Sequence, residues 1–132
     1  MIVTCTRLGT LSSASASASA SASLVNDGWV TIGRNYLVLG VYGRSNTIKY
    51  RILGDDDRTP ALQLAEQFEI TSPEIPADWI FRVYSPSEWE ILPAAWSIDG
   101  FWMAYFDGEP SAKAIFEQEV SAMKRRITDK VA

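Results

Sequence analysis

The sequence predicts an α+β fold, in which a small antiparallel β-barrel or curled sheet carries a packed amphipathic helix at its C-terminal end. Two patterns support this prediction. Between residues 29 and 70, three strand-like runs alternate with two turn signals. From Pro110 onward, apolar residues recur at helical spacing. The chain has 132 residues, 47 % of them hydrophobic, which fits one domain with a folded core.

The first strands are predicted from alternation and from β-branched residues. Residues 2–8 form the first, with Val3 and Cys5 on one face. Residues 29–42 form a second, long and bent strand. Its apolar residues do not keep to one face throughout, so Gly33 and Gly40 are expected to absorb bends or bulges.

A hairpin and a short return follow this strand. Residues 48–52 alternate apolar side chains with Lys49 and Arg51, which predicts a half-buried strand. Residues 54–60 form an acidic turn, and Leu62 and Leu64 begin another strand. We expect a single helical turn over residues 65–67, before a last short strand through residues 68–70.

The second half of the chain is predicted to become helical. Residues 79–84 read as a strand, residues 85–96 as irregular or briefly helical, and residues 101–106 as a short aromatic helix or turn. Pro110 suits the first position of the last helix. Its apolar stripe comprises Ala112, Ile115, Phe116, Val120, Met123 and Ile127. The rings expected to seal this helix onto the sheet are Trp96, Phe101, Trp102 and Phe106.

We interpret residues 1–132 as a single domain with three parts: a Ser/Ala loop at 12–23, a barrel core at 24–84 and a helical extension at 85–132. The Ser/Ala alternation offers too little apolar area to anchor a segment, so it predicts a mobile loop. No run approaches the ~20 apolar residues that span a bilayer. One cysteine and no signal-peptide pattern predict a cytoplasmic protein without a membrane partner.

Composition excludes several kinds of active site. The chain has 0 His, which excludes Ser-His-Asp and Cys-His catalysis and a Cys/His zinc site. The acidic run at 55–57 is followed by Arg58, Thr59 and Pro60, which does not fit a calcium loop. A two-carboxylate hydrolase is the least favoured hypothesis, because nothing selects one pair of acids. The sequence predicts no enzyme, no metal and no cofactor.

Charge is segregated along the chain. Residues 1–53 carry five bases and one acid, residues 54–119 carry fourteen acids and three bases, and residues 120–132 carry four bases and one acid. An acidic block repels nucleic acid and attracts a basic protein, although a merely solvated face is the simpler interpretation. The residues predicted to bind a partner are Asp55, Asp56, Asp57, Glu66, Glu69, Glu88, Trp89 and Glu90.

Four segments carry a family resemblance: WVTIGRNYLVLGVY (29–42), IKYRILGDDDRTPALQLAEQFEI (48–70), IPADWIF (75–81) and FWMAYFDGEPSAKAIFEQEV (101–120). Together they resemble small bacterial proteins with an SH3-like barrel and a helical extension, of the polymorphic or contact-dependent toxin immunity type. The resemblance implies a cytoplasmic immunity protein that neutralises a cognate toxin, a basic protein such as a nuclease. The alternative is an SH3-like module that binds a peptide or a complex subunit through an aromatic groove, with Tyr36, Tyr42, Tyr50 and Trp79 as its candidate residues.

Overall fold

The computed structural model describes residues 1–8 and 26–131, with side chains described as far as Ile127. The Ser/Ala tract at 12–23, predicted to be a mobile loop, lies outside these residues. The strands are β1 (Ile2–Cys5), β2 (Asn35–Arg44), β3 (Thr47–Leu53), β4 (Pro60–Leu64), β5 (Phe68–Ser72), β6 (Trp79–Ser85) and β7 (Glu88–Pro93). The helices are α1 (Phe101–Phe106) and α2 (Pro110–Val131), with 3-10 turns at Ala65–Gln67 and Ala94–Trp96.

Strand β2 organises an antiparallel sheet. β3 pairs with one of its edges, and β1 and β7 pair with successive stretches of the other. β4, β5 and β6 then extend the sheet outward from β3, β1 and β7. A register shift between Val38 and Gly40 marks the predicted bulge. In the described part of the chain no strand pairing closes this sheet, so of the two predicted forms it is the curled sheet.

The long strand predicted at residues 29–42 begins six residues too early. The Asp27 carboxylate accepts the backbone N–H groups of Trp29 and Val30, each at 2.9 Å. These local hydrogen bonds give the backbone an alternative to strand pairing, and β2 starts only at Asn35. The prediction for residues 85–96 is also wrong in part, because it missed β7. The predicted helical turn at residues 65–67 is confirmed.

Residues of the two helices belong to the same hydrophobic core as residues of the strands. The apolar stripe predicted for α2 is confirmed, with Ala112, Phe116, Val120 and Met123 all buried. Trp96 is fully buried and stacks on Phe116, with ring centroids 4.9 Å apart. Neither described helix has the length and apolar character needed to cross a membrane.

Candidate protein-binding surfaces

The first acid of the predicted recognition turn is built into the fold. The Asp55 carboxylate accepts hydrogen bonds from the Thr31 hydroxyl at 2.7 Å, the Tyr36 hydroxyl at 2.5 Å and the Arg34 guanidinium at 3.1 Å. Burial, followed by the hydrogen bond to Asp55, raises the pKa of Tyr36 to about 12. Asp55 therefore fixes the turn against the start of β2.

The next two acids hold the turn together. Asp56 accepts the backbone N–H of Arg58 at 2.9 Å and the hydroxyl of Thr59 at 2.7 Å, and these hydrogen bonds lower its pKa. Asp57 has a positive φ of 56°, a conformation that Asp tolerates better than most residues. Its carboxylate lies 3.0 Å from the Lys124 ammonium group of α2. Both acids remain exposed, so they contribute charge to the surface as well as structure.

Glu66 and Glu69 lie near β1. Glu66 forms an exposed ion pair with Arg7 at 3.1 Å, and Glu69 is exposed on β5, opposite Thr4. On the other side of β1, Thr4 pairs with Asn35 of β2. Asn35 directly follows Arg34, which forms the ion pair with Asp55. The structure therefore brings five of the eight predicted residues, Asp55, Asp56, Asp57, Glu66 and Glu69, to the same end of the sheet.

The remaining three predicted residues lie on β7, away from the acidic turn. Glu88 accepts a hydrogen bond from the Tyr42 hydroxyl, and Trp89 packs over Gly43 and against Phe81. Glu90 is only 4 % exposed, with Arg51 at 3.4 Å and the Tyr84 hydroxyl at 2.9 Å. β7 pairs near the other end of β2, so the eight residues do not form one surface, and Glu90 is an internal group in this conformation.

The segregated charge blocks pair with each other in the fold. Five ion pairs between described residues join a base from 1–53 or 120–132 to an acid from 54–119. They are Arg7–Glu66, Arg34–Asp55, Arg51–Glu90, Lys124–Asp57 and Arg126–Asp78. Much of the charge that predicted a partner is therefore matched internally.

A different surface combines exposed apolar side chains with acids. Met103 is 73 % exposed and Phe106 is 59 % exposed, so the prediction that Phe106 seals the core is wrong. Tyr105 and Glu117 line the same surface groove, and burial, followed by the negative charges of Glu117 and Asp56, raises the pKa of Tyr105. We define the α1 corner as Asp56, Met103, Tyr105, Phe106, Asp107, Glu109 and Glu117.

Sequence reasoning missed the α1 corner because it treated α1 as core throughout. Phe101 is buried and Trp102 is half-buried, but the helix has only six residues and its last turn projects beyond the core. The sequence signal was Phe106 followed by Asp107, Gly108 and Glu109, an aromatic residue beside two acids at the end of the helix.

A second exposed apolar surface lies on β6 and β7. Phe81 and Val83 of β6 are 60 % and 62 % exposed. Trp89 stands beside them, with its ring centroid 5.8 Å from that of Phe81. No charged side chain of β6 other than Arg82 accompanies these residues.

The aromatic groove of the alternative hypothesis does not form in the described structure. Tyr36, Tyr50 and Trp79 are buried in the core, and only Tyr42 is partly exposed. Among the described residues, no group of three or more Cys, Asp or Glu side chains is arranged to hold a metal ion.

No protein-family model, curated protein or solved structure matches this chain. The resemblance to toxin-immunity proteins therefore rests on sequence motifs and stays a prediction. The chemistry of the surfaces themselves supports the proposals that follow.

Proposed function

We propose that this protein is an immunity protein, which binds a cognate bacterial toxin domain and neutralises it. The observation that supports this proposal is the α1 corner, where exposed Met103 and Phe106 stand among acids. Exposed aromatic and methionine side chains serve as packing anchors in protein interfaces, and surrounding charges steer association. This combination fits a basic protein partner.

The charge around α1 favours a basic partner more than the acidic turn alone does. Residues 99–119 contain five acids and one base, Lys113. The turn at 55–57 borders the α1 corner, and Arg58, Lys113 and Lys124 line the groove that contains Tyr105 and Glu117. The excess of acids over bases within residues 99–119 therefore favours a positive toxin surface at α1, beside a groove whose own charges are mixed.

The protein would neutralise the toxin by covering the surface through which the toxin binds its substrate. If the toxin is a nuclease, its substrate groove carries Lys and Arg side chains that bind phosphates. Acids of the α1 corner would pair with those side chains, and the apolar anchors would exclude water around them. The toxin could then no longer admit its substrate.

The first test is co-expression with the product of the neighbouring gene, followed by co-purification and a growth assay. We expect a stable complex and rescue from toxicity. Failure to recover a complex, together with no rescue, rejects the immunity function.

The second test locates the contact by measuring association and dissociation rates with the purified toxin domain. Phe106→Ser should weaken binding at least about tenfold, as expected for an interface anchor. The pair Asp107→Lys and Glu109→Lys should mainly slow association, and less so at high salt. Glu69→Lys changes charge in the same direction on β5 and serves as the control. Full binding by both α1-corner variants would reject this surface but not the function.

A further inference from the structure

Strand β6 lies at an edge of the sheet in the described part of the chain, and its own sequence has little of the usual protection against pairing. Among the described strands it pairs only with β7. It has seven residues, WIFRVYS, with no Lys, Pro or acid among them. Of the other outer strands, β4 starts with Pro60 and β5 carries exposed Glu69, and each has only five residues. Proline and charge are devices that prevent edge-to-edge pairing, and β6 has only Arg82.

That single charge is already neutralised within the molecule. The Arg82 guanidinium donates to the backbone oxygen of Ser97 and to the Asp99 carboxylate, the latter at 3.0 Å. A strongly charged partner therefore finds no complementary charge on β6.

Two rows of side chains cross the sheet and end at this edge. One row is Tyr50, Val41, Ile91 and Phe81, and the other is Ile48, Gly43, Trp89 and Val83. The first two residues of the former row are buried, whereas Phe81 and Val83 are more than half exposed. Both rows would continue if another apolar strand were added beside β6.

We propose that the partner of this edge is the β6 strand of a second copy of this chain. Antiparallel pairing of two identical strands about a two-fold axis closes on itself, so it consumes both edges and stops at a dimer. It also places odd-numbered residues of one copy opposite odd-numbered residues of the other, which keeps Phe81 and Val83 on one continuous apolar face.

The exposed area matches a weak dimer. Ile80, Phe81, Val83 and Tyr84 are 38 %, 60 %, 62 % and 46 % exposed. With ~150–250 Å² for a large side chain, they offer roughly 300–500 Å² per copy, or about 600–1,000 Å² for two copies. The paired backbones add to this area, so the total approaches the lower end of specific interfaces, near ~1,200 Å². We therefore expect a reversible dimer that forms as concentration rises.

Sedimentation equilibrium of the full chain tests this dimer, and the result does not depend on the proposed function. The wild type should move from monomer to dimer mass with increasing concentration. Val83→Lys should raise the dimer dissociation constant at least about tenfold, because it places a charge at the edge. Ile70→Lys, at an exposed isoleucine on β5, is the matched control and should dimerise like the wild type. Circular dichroism verifies that both variants fold.

Hydrogen exchange of the wild type gives a second measurement that needs no variant. Backbone amides of β6 should exchange more slowly at high concentration, while those of β4 and β5 should not change. The proposal is overturned if the wild type stays monomeric or assembles beyond the dimer. It is also overturned if Val83→Lys dimerises as well as the wild type. Concentration-dependent protection confined to β4 or β5 overturns it too.

Discussion

Arg51 and Glu90 show how charged residues join the core of this sheet. Their side chains lie 3.4 Å apart, and the Arg51 guanidinium also stands 3.9 Å from the centre of the Trp102 ring. Burial lowers the pKa of Arg51, while Glu90 opposes that shift. Alternation in the sequence placed Arg51 on a strand but could not reveal its partner, which lies 39 residues away. Glu90 was predicted as a surface contact for the same reason.

Glu119 differs from Glu90, because one of its carboxylate oxygens is buried without a hydrogen-bond donor. Burial, followed by the negative charge of Asp78, raises its pKa. The folded state therefore holds the Glu119 proton more tightly than the unfolded state does. The resulting stability is fully present below the ordinary carboxyl pKa and is lost as pH rises through the raised value.

Glu119→Gln should consequently stabilise the protein at neutral pH, and the gain should shrink as the pH is lowered. Urea unfolding across a pH series measures this difference. Glu117→Gln, an exposed neighbour on α2, should show a much smaller change. A gain that is constant with pH would mean that ionisation of Glu119 is not its cause.

Among the helices and strands, the sequence predicted those in which apolar side chains recur at one regular spacing. The stripe of α2 and the alternation of β3 depend on local spacing, and both elements form where expected. The alternation of burial expected for β3 is wrong, however, because Ile48 is exposed and Arg51 is buried. β7 was missed because Glu90 stands at a buried position, where a charge argues against a strand unless its distant partner is known. The start of β2 was misplaced because the Asp27 side chain competes for backbone donors.

The pairing of β2 with β7 depends on the glycine at position 43. A Cβ built there overlaps the Trp89 indole ring, which packs directly over the glycine. Gly43→Ala must displace Trp89 and should lower the free energy of unfolding by roughly 1–3 kcal/mol. In a Trp89→Leu background, the same change should be neutral or stabilising, because alanine suits a strand better than glycine.

Urea unfolding of the four proteins in this cycle gives the coupling between the two positions. Strictly additive effects would show that the ring does not occupy the space above Gly43. The dimer test is separate, since it does not use either position.

For the whole molecule, the segregation of charge is better explained as a pairing between distant parts of the chain. The blocks at both ends of the sequence contact the acidic block between them through five ion pairs. Sequence composition showed the imbalance but could not show this cancellation, which depends on topology. The α1 corner was equally hidden, because the exposure of Phe106 depends on where the core ends.

The five pairs should respond differently to salt and to mutation. Four have exposed or half-exposed partners, and such pairs contribute ~0–1 kcal/mol each and are screened by salt. In Arg51–Glu90 the side chains are 10 % and 5 % exposed. Breaking a buried pair leaves a charge uncompensated, so Arg51→Met should cost about 3–5 kcal/mol at low and at high salt.

Urea unfolding at two sodium chloride concentrations measures both effects. Arg7→Met removes an exposed pair with Glu66 and is the matched control, expected to cost less than ~1 kcal/mol. Adding Glu90→Leu to Arg51→Met should recover much of the loss, because the remaining buried charge is removed. If Arg51→Met costs no more than Arg7→Met, water reaches Glu90 and the pair is not the internal link between β3 and β7. An equal loss with and without Glu90→Leu would instead assign the cost to packing against Trp102.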